Sequence, residues 1–253
     1  MQGEPEAAKV VLFVFAPRVL ELGPPSRSKH GLPAGYNLEN IEVQAHLRSD
    51  NEAWFDGFFD ADMRAMSRVP LPQPEHMAVV YSIRHIAEFP RDLAYLQACW
   101  AIAKWLCDLG ASLVHNANAI EWKSGLEVLA LDPFREFDLG FEINCIFESQ
   151  PTEGFGHLTH TRGMLNFGHP DLLLFGGQPE YSRQLGMILN LLAEEAALGR
   201  AFKAGERLGP GGLPARELFA YEPETRHPQV HLNNEGLCLD VHDWALETLY
   251  DPG

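Results

Sequence analysis

The sequence is short of positive charge. Only 19 lysines and arginines face 35 aspartates and glutamates, a formal net charge of −16. That balance opposes general binding to phosphate backbones and to anionic membrane surfaces, and there is no basic stripe with interleaved aromatics to suggest nucleic acid. Cysteine is also scarce. Cys99, Cys107, Cys145 and Cys238 form no C-x-x-C pair, which argues against a zinc site or a disulfide framework and for free thiols in a reducing cytosol. No apolar run approaches membrane-spanning length. Val10 to Phe15 is apolar but short, and Glu4 and Glu6 precede it where a signal peptide would carry positive charge, so it reads as a buried strand. Two further absences narrow the chemistry: no G-x-S-x-G or cysteine–histidine nucleophile signature, and no glycine-rich phosphate loop between a strand and a helix.

What is present is the composition of a globular protein, 253 residues long with 46% hydrophobic and 21% charged residues. Lys9 to Phe15 reads as a strand. Ile41, Val43, Ala45 and Leu47 alternate with polar residues as a half-buried strand would. Trp54, Phe55, Phe58 and Phe59 suggest a short helix lying on the core. A strand follows over 76–84. From 91 to 109, Leu93, Leu96, Trp100, Ala103 and Cys107 recur at helical steps, and Gly110 suits the stop. Residues 113–122 fit a strand, and Ser124 and Glu127 fit a capping box. Phe137, Leu139, Phe141, Ile143, Cys145 and Phe147 alternate as the clearest strand in the chain. A second long helix opens at Pro179, with Tyr181, Leu185, Ile188, Leu189, Leu192 and Ala196 on its apolar face. Strands are expected at 218–221, 229–232 and 237–241, the last two as a hairpin, and a short helix at 244–250.

This order reads as an α+β fold of mainly antiparallel sheets packed by two long amphipathic helices. The boundary falls between an N-terminal half, 1–134, and a C-terminal half, 135–253, unless the chain is one continuous domain. A faint echo links the halves: Arg84, Phe89, Pro90 and Asp92-Leu93 match Arg162, Phe167, Pro170 and Asp171-Leu172 in spacing. Either the halves are related strand-and-helix units or the match is chance, since the second copy inserts 173–178 before its helix.

The segment 157–176, H-L-T-H-T-R-G-M-L-N-F-G-H-P-D-L-L-L-F-G, departs from binary patterning. Strand alternation puts Leu158, His160 and Arg162 on one face and His157, Thr159 and Thr161 on the other, so both faces are polar. A badly patterned strand among well-patterned neighbours is a candidate site. The candidate functional residues are His160, Arg162, His169 and Asp171. The competing reading is a turn braced by an Arg162–Asp171 pair. If 157–165 and 170–176 pair around Asn166-Phe167, facing residues sum to 333 and Arg162 falls opposite Asp171.

The stretch Thr161-Arg162-Gly163-Met164-Leu165-Asn166-Phe167-Gly168-His169-Pro170-Asp171-Leu172 resembles an uncharacterised family of bacterial domains with a T-x-G-[ML]-x-x-F-G-x-P-D-[LI] signature followed by a helix. The resemblance covers about residues 137–200. It implies a bacterial protein, and some such domains resemble accessory or immunity components of conflict systems; it implies no activity.

Other chemistries find little footing. His157-x-x-His160 has a helical ligand spacing but lies in a strand, where residues three apart face opposite ways. His160, His169 and Asp171 could converge across the turn, and His227, His231, Asp240, His242 and Asp243 form a second cluster. With 11 histidines such groupings arise easily by chance. No metal and no cofactor is therefore expected. Ser149, Ser182, Thr159 and Thr161 lie near histidines without a selecting motif. Glu142, Glu148, Asp171 and Glu194 offer carboxylates whose spacing picks out no acid/base pair. Over 217–253, eight acidic residues stand against Arg226 alone, a solvated face or a docking surface for a basic protein. The expectation is a cytosolic, non-enzymatic binding protein with a basic partner, no nucleic acid and no membrane. The alternative is a small hydrolase or metal-dependent enzyme using His160, Arg162, His169 and Asp171.

Overall fold

The computed structural model describes residues 7–88, 92–132, 138–148, 150–151, 156–221 and 234–248. The fold is α+β, and the chain divides into two compact units between Glu142 and Ile143.

The first unit is built on an antiparallel five-stranded sheet. Its elements in chain order are β1 (Ala8–Ala16), α1 (Arg27–His30), β2 (Glu42–Leu47), α2 (Glu52–Asp56), α3 (Ala61–Met66), β3 (Val79–Ala87), α4 (Ala94–Asp108), β4 (Leu113–Asn116), β5 (Glu121–Ser124), α5 (Gly125–Ala130) and α6 (Leu139–Glu142). The strand order is β2-β3-β1-β4-β5. From Val10 onward β1 is apolar without interruption, because this central strand is covered on both faces. Phe15 packs against Phe55, Phe59 and Trp122 on the α2 side, which leaves Val10, Leu12 and Val14, all fully buried, for the side packed by α4. The capping box at Ser124 and Glu127 opens α5.

Three readings of this region need correction. β2 is exposed along nearly its whole length, with Val43 and Leu47 on the surface; it is a sheet edge on which only His46 is partly covered, by Trp54. The run 113–122 is not one strand but the hairpin β4–β5, reversing at Ile120 with φ of 52°. The 137–147 alternation does not make a single strand. Among its described residues, 139–142 form α6 and only 144–147 are extended. The reason lies outside the pattern: Glu142 is fully buried and accepts from Trp100 Nε1 and Asn116 Nδ2, so a residue that would point outward is drawn in.

The second unit contains β6 (Asn144–Phe147), β7 (His157–Arg162), β8 (Asp171–Gly177), α7 (Ser182–Ala197), β9 (Arg207–Leu208), β10 (Arg216–Glu217), β11 (Phe219–Ala220) and β12 (Gly236–Asp240). Its five-stranded sheet runs β11-β12-β8-β7-β6, with β12 parallel to β8 and the other pairs antiparallel. α7 packs on β6, β7 and β8, burying Leu185, Ile188, Leu189, Leu192 and Ala196 as the periodicity predicts. Leu158, Leu173, Phe175 and Cys238 form the core on the opposite face, with Phe219 and Tyr221. The expected 229–232 strand lies outside the described residues, and β12 finds its partners in β8 and β11. Of the expected 244–250 helix, the described residues form a 3-10 turn, Leu246–Thr248, and 249–250 lie outside them.

The two units are wired differently. β3 and β4 both flank β1, so the crossover through α4 skips a strand, whereas β8 and β12 pair directly. Arg84 lies on the strand that feeds α4, but Arg162 lies one strand earlier than the strand that feeds α7.

Candidate functional site

β7 is polar on both faces because it is interior on both: from Leu158 to Arg162 every residue is buried. The β7–β8 register runs Leu158↔Phe175, Thr159↔Leu174, His160↔Leu173, each pair summing to 333 as expected, but it shifts by one between His157 and Leu158, so that His157 faces Gly177. The connection is a 3-10 turn, Met164–Phe167, flanked by Gly163 at φ 110° and Gly168 at φ 72°. Side chains other than glycine are strained at both angles, so these two glycines fix where the chain reverses.

Asp171 is fully buried, and its partner is not the expected one. Its Oδ1 accepts from Thr161 Oγ1 at 3.1 Å and from Met164 N–H at 3.4 Å. Thr161 Oγ1 in turn accepts from Leu172 N–H at 2.9 Å. The hydroxyl thus ties the start of β8 to β7, and no ion pair forms between Asp171 and Arg162. Arg162 acts on Asp171 through its charge alone; burial nevertheless dominates and pushes the Asp171 carboxyl up to about 6. Burial also pulls the Arg162 guanidinium below its ordinary value, with Asp171 opposing the shift.

The histidines of the segment diverge. His160 Nδ1 lies 3.1 Å from the Thr161 carbonyl oxygen and its Nε2 lies 3.1 Å from Glu148 Oε1, so both nitrogens face acceptors. That contact holds the Glu148 carboxyl below the usual carboxylate range. His157 stacks on Phe147 and meets the Glu148 carbonyl. His169 is half-buried and turns to the carbonyl of Ala196 at the end of α7; burial lowers its pKa. Among the described residues no three His, Cys, Asp or Glu side chains come together as metal ligands. In the second histidine cluster His227 and His231 lie outside the described residues, and Asp240 is bonded to His242 at 2.7 Å. All four cysteines are free thiols, and burial pushes Cys107 up to about 12. Ser149 lies outside the described residues. The acidic 217–253 region is described only in part: Arg216 pairs with Asp243 at 3.0 Å.

Among the described residues an open site lies in the first unit. A cavity of about 750 Å³ is lined by Tyr36, Asn40, Glu42, Arg84, His85, Ile86, Ala87, Glu88, Asp92 and Tyr95, a volume within the range that binds small ligands or peptide segments. His85 is buried in its wall. Its Nδ1 donates to the Asn40 carbonyl at 2.8 Å, which leaves Nε2 to accept from Tyr36 Oη at 2.8 Å. Burial raises Tyr36 to about 12 and Tyr95 further still, so both phenols stay protonated. No motif ties Tyr36 to His85 across 49 residues; the only sequence hint is a histidine at an inward position of a strand, next to Arg84.

No helix among the described residues is long and apolar enough to cross a membrane. The chain matches no family model, no curated protein and no solved structure.

Proposed function

We propose that this chain is a cytosolic binding protein of the bacterial accessory or immunity-like kind, docking a basic protein rather than catalysing a reaction. The observation that carries this reading is the closure of the 157–171 segment. His160, Thr161 and Asp171 are each at most 2% exposed; both His160 nitrogens, the Thr161 hydroxyl and Asp171 Oδ1 bond to one another, to Glu148 and to the main chain, and Asp171 Oδ2 is buried with no hydrogen-bond partner among the described residues. A catalytic set needs water and substrate within reach; these residues brace a turn. The hydrolase alternative on His160, Arg162, His169 and Asp171 gains no support from that geometry. The excess of acid favours encounter with a basic surface, and four free thiols suit a reducing compartment.

The test is affinity capture from the native host at low ionic strength, followed by the Kd of the captured pair across a salt series. The Kd should rise steadily with salt, because exposed charges are screened. A genuine partner indifferent to salt rejects the acidic docking surface. A hydrolytic turnover that disappears in a normally folded His160→Ala variant rejects the non-enzymatic role.

A further inference from the structure

The sheet of the first unit ends unevenly. β3 continues to Ala87, but β2 begins at Glu42, opposite Arg84. Arg48 N–H donates to the Ala78 carbonyl, and 48 and 78 continue the same register. Even-numbered residues of β3 therefore turn their main-chain polar groups toward β2. The next even residue past Arg84 is Ile86. The position opposite it belongs to Asn40, whose carbonyl is taken by the His85 ring. Among the described residues none supplies Ile86 with a main-chain partner on that side, and its side chain is 63% exposed. An open N–H and C=O on a strand edge is a template for another strand.

The Tyr36–His85 cavity lies along this notch, and Ile86 is part of its lining. Among the described residues the charged lining is three carboxylates, Glu42, Glu88 and Asp92, against Arg84. Asp92 is engaged in part, accepting from Ala94 N–H at the start of α4. Glu42 and Glu88 stand exposed, without an ion pair among the described residues. Arg84 offsets part of their charge, so a single basic residue fits better than a basic run.

We propose that an extended segment of a basic partner adds to the β3 edge at Ile86, exchanging main-chain hydrogen bonds there and setting one lysine or arginine among Glu42 and Glu88. This names the docking place for the binding role above and rests on that reading. Main-chain pairing supplies affinity and the flanking side chains supply selection. Tyr36 and His85, locked together, form a wall already in place.

The experiment is fluorescence anisotropy on the full chain with labelled peptides: a short alternating valine–lysine peptide, its glutamate counterpart, and the lysine peptide N-methylated at alternate amides. Ile86→Pro and the pair Glu42→Lys with Glu88→Lys are the test variants. The valine–lysine peptide should bind, and the other two peptides and both variants should each lose about tenfold, the weight of one net hydrogen bond or charge contact. In the free chain the Ile86 amide should exchange its hydrogen rapidly. A protected Ile86 amide shows that the N–H was already paired and overturns the notch. Valine–lysine binding untouched by both variants also overturns it while leaving the wider binding role standing. Equal binding of the glutamate peptide overturns the charge selection. Failure of every basic peptide, together with failure to capture any basic partner, overturns the notch and the wider role alike.

Discussion

Each unit buries a histidine in a polar pairing, with opposite results. His160 meets Glu148 and the Thr161 carbonyl inside a central strand, and its neighbours Thr161 and Asp171 close on each other. His85 meets Tyr36 and the Asn40 carbonyl in the wall of an open cavity. The badly patterned strand is the closed one. The well-patterned strand carries the opening, because its neighbour starts two residues short of Ile86. Here polarity on both faces marks a strand covered on both faces, with most of its polar groups bonded internally and Thr159 Oγ1 buried without a partner among the described residues. Access comes instead from strands of unequal length.

The largest effect that would break this contrast lies in the closed unit. Leu158→Ala removes a fully buried side chain that lies beside His160 on the same face of β7 and should cost about 2–5 kcal/mol in a denaturant titration. A loss near zero would mean that the face under β7 is not packed. Next is the pH response of Asp171. Its folded pKa of about 6 stands above the ordinary carboxylate value, so the folded state holds the proton more tightly than the unfolded chain. Its contribution is full at acid pH and is lost as pH rises from about 4 through about 6, by up to about 3 kcal/mol. Subtracting the stability curve of Asp171→Asn from that of the wild type should isolate this slope; parallel curves would show that the carboxyl is not held protonated.

The open unit should respond less. Tyr36→Phe removes one hydroxyl from His85 Nε2 and should cost about 0.5–1.5 kcal/mol by thermal melt. A much larger loss would make this pair as structural as Asp171. Smallest of all, Glu88→Ala should stay within about 0.5 kcal/mol of the wild type, because its carboxylate is exposed. A clear loss of stability would give Glu88 a structural role and erase the contrast.

Much of the fold was legible where one physical cause acts alone. Helical spacing marked the α7 face from Leu185 to Ala196, and an unbroken apolar run marked β1. The 333 register was legible too, because a hairpin leaves little choice once the turn is placed. Legibility failed where a distant partner decides. Glu142 counted as an outward residue in an alternating run, but Trp100 and Asn116 draw it inward and the chain coils there into α6. Arg162 seemed the natural mate for Asp171, yet a threonine hydroxyl reaches the carboxylate first. In β2 the alternation was real, but apart from Trp54 against His46 little covers the strand. The Tyr36–His85 cavity left no trace in spacing, since it depends on a loop folding back across 49 residues to the end of β3.

The parallel pairing of β8 with β12 also sets an order of events. β8 carries Leu172, Leu173, Leu174 and Phe175, all interior, and one of its two edges is satisfied at once by β7. The other waits for a strand 65 positions later, Gly236 opposite Asp171. During synthesis, at about 5–20 residues per second, that apolar edge stands open for several seconds with only main-chain groups and water along it. The interval is when this chain is most exposed to pairing with a second copy of itself, and a chaperone that shields β8 would act in that window or not at all.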